Sequence, residues 1–244
     1  MYNSQGIFIG VYEYQEEKQM VEALENVYAG WRMKRMRYIA DTVDFELEEP
    51  TVVTLGKFDG RHRGHQKLLR KMEEVKETLG YATAIFTFST APLTLVTGET
   101  ATVITTSEER RHNMEKMGID YLVEYPFTDD VRKMDPTVFV KDILVKRMKA
   151  KAMVVGPDCS FGYKGAGNAE LLEALSGELG FQLFVIEKEK DHRRDISSTY
   201  IREELALGNV AKANELLGEP YAIHGVVVSW QSYRGSKTGI SYCQ

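Results

Sequence analysis

The chain has 244 residues, 43% hydrophobic and 27% charged, which is enough apolar material for one large domain or one domain with an appendage. Its formal charge of −5 argues against a nucleic-acid-binding surface as the main business, and no run approaches the roughly 20 apolar residues that span a bilayer. Only Cys159 and Cys243 occur, far apart, so neither a disulfide framework nor a cysteine zinc site is expected, and a reducing cytoplasm is the natural compartment.

The opening "MYNSQGIFIGVYEYQEEK" lacks the pattern of a secretory signal. Residues 1–35 read as a separate segment: "GIFIGVYEY" alternates like a short strand, and "EEKQMVEALENVYAGWRMKRMR" has helical spacing with basic residues near its end. From Thr51 the pattern becomes regular. "TVVTLGKF" predicts a buried strand, "GHQKLLRKMEEVKETLG" a helix closed by Gly80, and "YATAIFTFS" a second strand. "SEERRHNMEKMG" predicts a helix capped by Ser107 and stopped at Gly118, before a third strand, "DYLVEYPF". "DPTVFVKDILVKRMKA" reads as a helix with Pro136 in its first turn, and "KAMVVG" as a fourth strand. After the glycine-rich loop "PDCSFGYKGAGN" come a helix in "AELLEALSGELG", a strand in "FQLFVIEK" and a helical pair in "SSTYIREELALGN" and "VAKANELLG". Short strands alternating with helices predict a doubly wound parallel sheet, whose ligands bind beyond the carboxyl ends of the strands. "GKFDGRHRGH", "FSTAP", "PFTDD", "GPDCSFG" and the approach to "SSTYIR" then share one rim.

Two stretches carry chemistry. In "GKFDGRHRGHQ" the glycines Gly56, Gly60 and Gly64 allow tight turns and close backbone approach, and the helix that follows offers free N–H groups to a phosphate. His62 and His65 bracket that helix start, so both rings can face one anion and donate to charge on phosphate oxygens. A bare His–x–x–His is also what a solvated turn contains; the whole string points to phosphate. In "ISSTYIR", Ser197, Ser198 and Thr199 precede a helix whose end they can cap, and Arg202 lies one turn in, aimed back toward it.

Together, "GKFDGRHRGHQKLL" and "ISSTYIR", about 130 residues apart, resemble the two signatures of prokaryotic FAD synthetases, the FMN adenylyltransferase part of bifunctional riboflavin kinase/FAD synthetases. The resemblance runs from about Met36 to Gly218 and implies a Rossmann-like α/β fold of the His–x–Gly–His nucleotidylyltransferase type. It further implies transfer of AMP from ATP to FMN, giving FAD and pyrophosphate without a covalent intermediate, with Mg²⁺ accompanying ATP. His62 and His65 would contact the ATP phosphates, and Ser198 and Arg202 the leaving β- and γ-phosphates. Gly56, Phe58, Asp59, Gly60, Gly64, Ser197 and Thr199 would line the nucleotide pocket. "FTFST-AP" and "GPDCSFGYKGAGN" resemble the flavin-side loops, implicating Phe88, Pro92, Gly156, Asp158, Phe161 and Tyr163. Four glycines make the second loop mobile in this reading, and its aromatic faces suit an isoalloxazine.

Residues 36–218 are therefore expected to form the adenylyltransferase domain. The tail 219–244, "EPYAIHGVVVSWQSYRGSKTGISYCQ", resembles the first strand and glycine turn of the kinase β-barrel but lacks its Pro-Thr-x-Asn, so riboflavin phosphorylation is not expected. Expected partners are ATP and FMN, with no nucleic acid and no membrane; nothing in the sequence signals an oligomeric state or the Mg²⁺ ligands. Two alternatives remain: a related nucleotidylyltransferase with another phosphorylated acceptor, and a non-catalytic flavin- or nucleotide-binding remnant. His112 and His192 read as solvated, Cys159 as a small filler, and Asp129 and Asp130 as rim residues without specific support as metal ligands.

Overall fold

The computed structural model describes residues 36–89 and 102–222. The expectations for residues 1–35, for Pro92 and for residues 223–244 fall outside them.

Six strands form one parallel sheet: β1 (Arg37–Ala40), β2 (Thr51–Leu55), β3 (Ala82–Phe88), β4 (Tyr121–Tyr125), β5 (Ala150–Val155) and β6 (Gln182–Val185), in the order β1-β4-β3-β2-β5-β6. Every neighbouring pair is parallel. Strands buried on both faces read as nearly continuous apolar runs, as β2 to β5 do. Alternate side chains then feed two layers. Val53, Phe86, Val123 and Met153 face α3 (Phe139–Arg147) and α4 (Ala169–Leu179). Val52, Ile85, Leu122 and Val154 face α1 (Arg63–Leu79) and α2 (Ser107–Lys116). A third cluster joins Ile104, Ile196 and the pair α5 (Ser198–Ala206) and α6 (Val210–Leu217).

Strand order runs outward from β2 through β3 and β4, then restarts on the other side with β5 and β6. The carboxyl ends of β2 and β5 therefore flank the topological switch point, where such sheets bind ligands. Gly80 closes α1 in the left-handed conformation, its N–H bonded to Lys76 O, as the sequence predicts.

Four local expectations need correction. The cap of α2 is Thr106, not Ser107: its hydroxyl accepts from Glu109 N while the Glu109 carboxylate accepts from the Thr106 N–H, a reciprocal box that Ser107 is one residue too late to make. The helix after Pro136 is regular only over Pro136–Val138. It then widens to i→i+5 bonding through α3, as in Met148 N to Ile143 O at 2.9 Å. The charge cluster "EKEKDHRRD" around His192, which by its composition alone reads as a solvated loop, is more than that. It folds into a small antiparallel hairpin, β7 (Lys190–Asp191) with β8 (Arg194–Asp195), and buried Asp191 accepts from Tyr200 Oη and Lys212 Nζ at 2.9 and 2.8 Å. His192 at the turn is solvated, as expected. The loop after β5 is stapled rather than left loose by its glycines: Phe161 and Gly167 exchange backbone hydrogen bonds at 3.1 and 2.8 Å, and Tyr163 N donates to Met134 O at 2.8 Å.

Candidate active site

A cavity of about 470 Å³ opens at the switch point, walled by the ends of β2, β3, β5 and β6, the first turn of α1 and the start of α5. Of the residues singled out in the sequence, it is lined by Gly56, His62, Gly64, His65, Phe88, Gly156, Asp158, Cys159, Phe161, Ser197 and Ser198.

The two histidines stand at the N-terminus of α1. His62 is its cap, and its Nδ1 accepts from His65 N at 3.2 Å. The two rings stack with centroids 3.6 Å apart, and Phe58 backs His65 at 4.6 Å. Backbone contacts fix the tautomers. A nitrogen that accepts an N–H carries no proton, so neutral His62 is protonated on Nε2. A carbonyl only accepts, so His65 Nδ1, 3.1 Å from Gly60 O, carries its hydrogen. Burial, followed by the charge of its neighbour His65, lowers the His62 pKa to about 3. Burial lowers His65 to about 4, against the Gly60 carbonyl and Asp59 carboxylate, which favour its charged form. Both imidazoles are neutral at pH 7, presenting one ring donor and one ring acceptor to the cavity side of a helix end that favours anions.

Gly60 has φ +64, and a Cβ there would lie 2.8 Å from Ile104 Cδ1. At Gly64 a Cβ would press on the His62 ring at 3.1 Å.

Asp59 ties the two sequence motifs together. Its carboxylate is buried and turned away from the cavity: Oδ1 accepts from Ile104 N (2.8 Å) and Thr105 N (3.1 Å), and Oδ2 from Arg202 Nη1 (2.8 Å). Its backbone carbonyl accepts from Ser198 Oγ at 2.5 Å. Arg202 also donates to Thr199 Oγ1 at 3.3 Å, while Ser197 caps α5 by accepting from Tyr200 N at 3.2 Å. The two motifs, 139 residues apart at Asp59 and Ser198, are thus in direct contact. Phe58, Asp59, Gly60, Thr199 and Arg202 are not among the residues that line this cavity.

The far wall is aromatic. Phe86, Phe88, Phe139 and Phe161 line it, with Phe86–Phe88, Phe86–Phe139 and Phe139–Phe161 centroids 5.2, 5.2 and 5.5 Å apart. Tyr163 is not part of it and is 44% exposed. Asp158 pairs with Lys188 Nζ at 2.9 Å, and that lysine also meets Asp195 at 3.2 Å. Burial, then the Asp158 charge, pushes the Cys159 thiol up to about 11, so it is no nucleophile at neutral pH. His112 is exposed, and Asp129 pairs with Arg132 at 3.1 Å.

Sequence reasoning passed over Lys57, Ile186, Glu187, Lys188 and Glu189, all of which line the cavity. The last four follow directly on the "FQLFV" strand, so the carboxyl-end rule that selected the other loops also applies to them.

Residues 44–200 match the protein-family model described as FAD synthetase. The chain is 34% identical over 182 residues to the bifunctional riboflavin kinase/FMN adenylyltransferase of Escherichia coli K12, covering 74% of this chain and 58% of that one. It is 32% identical over 190 residues to the protein of that description from Listeria monocytogenes (77% and 60% covered) and 31% over 186 residues to that from Bacillus subtilis (75% and 58%). The chain thus spans about 58–60% of the length of these curated relatives. Among solved structures, a Streptococcus pneumoniae chain described as a macrolide-efflux protein superimposes with a TM-score of 0.65 at 26% identity, over 77% of this chain and 71% of its own.

Proposed function

The chain belongs to the FAD synthetase family, and from that premise we propose that it transfers the AMP of ATP to FMN, giving FAD and pyrophosphate. The observation that carries this reading is the cavity itself, with two stacked, neutral histidines on a helix N-terminus at one wall and a phenylalanine cluster at the other. The triphosphate lies against the first wall and the isoalloxazine against the second. The FMN phosphate attacks the α-phosphorus in line, and the bond to the pyrophosphate oxygen breaks.

Such a displacement needs positioning and charge neutralisation more than covalent help. His62 donates from Nε2 to phosphate oxygen. The incoming polyanion raises the proton affinity of His65, which then donates as well. Ser198 and the start of α5 hold the departing phosphates, and Arg202 contributes the N–H groups that Asp59 and Thr199 leave free. Gly56 and Gly64 let the backbone approach the nucleotide, Gly60 lets the loop turn against Ile104, and Phe88, Phe161 and Gly156 shape the flavin side. Asp158 offers the flavin a polar contact once Lys188 shares its charge.

Mg²⁺ bound with ATP would supply neutralisation of phosphate charge. Asp158, Glu187 and Glu189 are cavity-wall carboxylates whose oxygens would suit such an ion beside the phosphates. Residues 36–218 act as the adenylyltransferase unit in this reading. Among the described residues no helix is long and apolar enough to cross a membrane, and the two-cysteine composition supports a cytoplasmic site of action.

The test is an acceptor panel with ATP and Mg²⁺. FMN should be adenylylated in preference to other phosphate esters, and riboflavin should not be. If another phosphate ester reacts and FMN does not, the flavin assignment falls. Binding of FMN and ATP without pyrophosphate release would point to a non-catalytic binding module.

A further inference from the structure

The first turn of α1 is held from outside by the segment that leaves α6. Gln66 Nε2 donates to Arg61 O at 3.0 Å and to Leu217 O at 2.7 Å, so one side-chain amide fastens the peptide just before His62 to the end of α6. Leu217 O is one of the terminal helix carbonyls that lack an internal partner. Arg61 makes a two-pronged ion pair with Glu219: Nε to Oε1 at 3.3 Å, with Nη2 on Oε2 closer still. Between these contacts Gly218 adopts φ +75. A Cβ there would lie 3.3 Å from Arg63 Cγ and 3.4 Å from Gln66 Nε2, so the exit lies flat on the first turn of α1. Leu216 and Leu217 are buried in the cluster with Ile104, Ile196 and Ile201, which makes α6 a firm anchor.

The same turn is also tied to the segment after β6: Arg63 pairs with Glu189 at 2.9 Å and Lys67 Nζ donates to Glu187 O at 3.0 Å. The peptide from Gly60 to His62 carries both contacts that set the imidazole tautomers, the Gly60 carbonyl and the His62 cap. A shift of the Arg61 carbonyl moves both.

We infer that Gln66 and the Arg61–Glu219 pair are positioning residues for the phosphate loop, making the exit segment Leu217–Glu219 a working part of the nucleotide site. The inference rests on the reading that the His62–His65 loop receives phosphate. The lever acts on one wall of the cavity only, because none of these three side chains lines the aromatic side.

The experiment uses the full chain with Arg61→Glu, Glu219→Arg, the double exchange of the two, and Gln66→Leu. Two quantities are read: the ¹⁵N shifts of the His62 and His65 imidazoles without ligand, and the dissociation constants of MgATP and FMN by calorimetry. Each single variant should move the imidazole shifts and weaken MgATP by about threefold to tenfold, the scale of one or two lost hydrogen bonds. FMN binding should stay within about twofold, and the double exchange should restore both ATP affinity and the shifts. Unchanged imidazole shifts in all variants would overturn the inference. So would equal losses of ATP and FMN affinity that the exchange does not restore, which is the signature of general destabilisation. Wild-type protein that binds no MgATP would defeat the function proposed above, and the imidazole shifts then decide the clamp by themselves.

Discussion

Asp59→Asn isolates the joint between the two motifs. Asparagine keeps an oxygen for the Ile104 and Thr105 amides but turns the other carboxylate oxygen, 2.8 Å from Arg202 Nη1, into a neutral amide. One charge-assisted hydrogen bond to a buried acceptor contributes about 1.5–3 kcal/mol, and Arg202 is 31% exposed, so water recovers part of it. A loss of about 2 kcal/mol follows, which for a domain of this size lowers Tm by roughly 4–8 °C. Asp59→Ala also orphans two amides and should cost about twice as much. The decisive assay is urea denaturation of Asp59→Asn, Arg202→Met and the double variant. The structure predicts a coupling of about 1–2 kcal/mol, since each single change already removes the pair. Additivity within about 0.4 kcal/mol would refute the claim that these residues brace each other.

Three further outcomes follow from the geometry. His65→Ala should lower turnover far more than FMN affinity, because the imidazole acts on phosphate; comparable losses in both would mark a structural histidine. Stability should fall on acidification. Both histidines have folded pKa values, about 3 and about 4, below the unfolded value near 6.5, so the unfolded chain binds more protons between these limits; the contribution is complete above pH 6.5 and lost below it. Near pH 5 the pair contributes a slope of about 2.5 kcal/mol per pH unit, and urea midpoints of His62→Gln/His65→Gln should show a flatter profile; an unchanged slope would contradict the burial argument. Gly60→Ala should destabilise by about 1–3 kcal/mol, since alanine there meets Ile104 at a positive φ, whereas Gly177→Ala, with open space around it, should be neutral or better.

Much of this arrangement was legible in the sequence because it is local. The apolar runs of β2 to β5 announce strands buried on two faces, and "GHQKLLRKMEEVKETLG" carries its helical period and its glycine stop. "HRGH" and "SSTYIR" display their capping and phosphate chemistry within a few residues. What escaped depends on distant partners. β1, four residues at the sheet edge with no apolar run of its own, exists only through its pairing with β4. Asp59 reads as a pocket residue in "KFDGRH", but its partners are Ile104, Thr105 and Arg202, 45 to 143 residues away. Lys188 sits in a charge run, the usual mark of a solvated face. Only the fold brings it between Asp158 and Asp195 at the cavity mouth. The widening of α3 has no residue-level signal that we can identify.

The central claim is adenylyl transfer to FMN, and the position of the transferred phosphorus tests it most directly. Protein incubated with FMN, Mg²⁺ and ATP labelled at the α-phosphorus should yield labelled FAD, with unlabelled pyrophosphate released in equal amount. ATP labelled at the γ-phosphorus should leave the flavin unlabelled and place all label in pyrophosphate. Label from the γ-position on the flavin, or no α-label in FAD at any FMN concentration, would contradict the account.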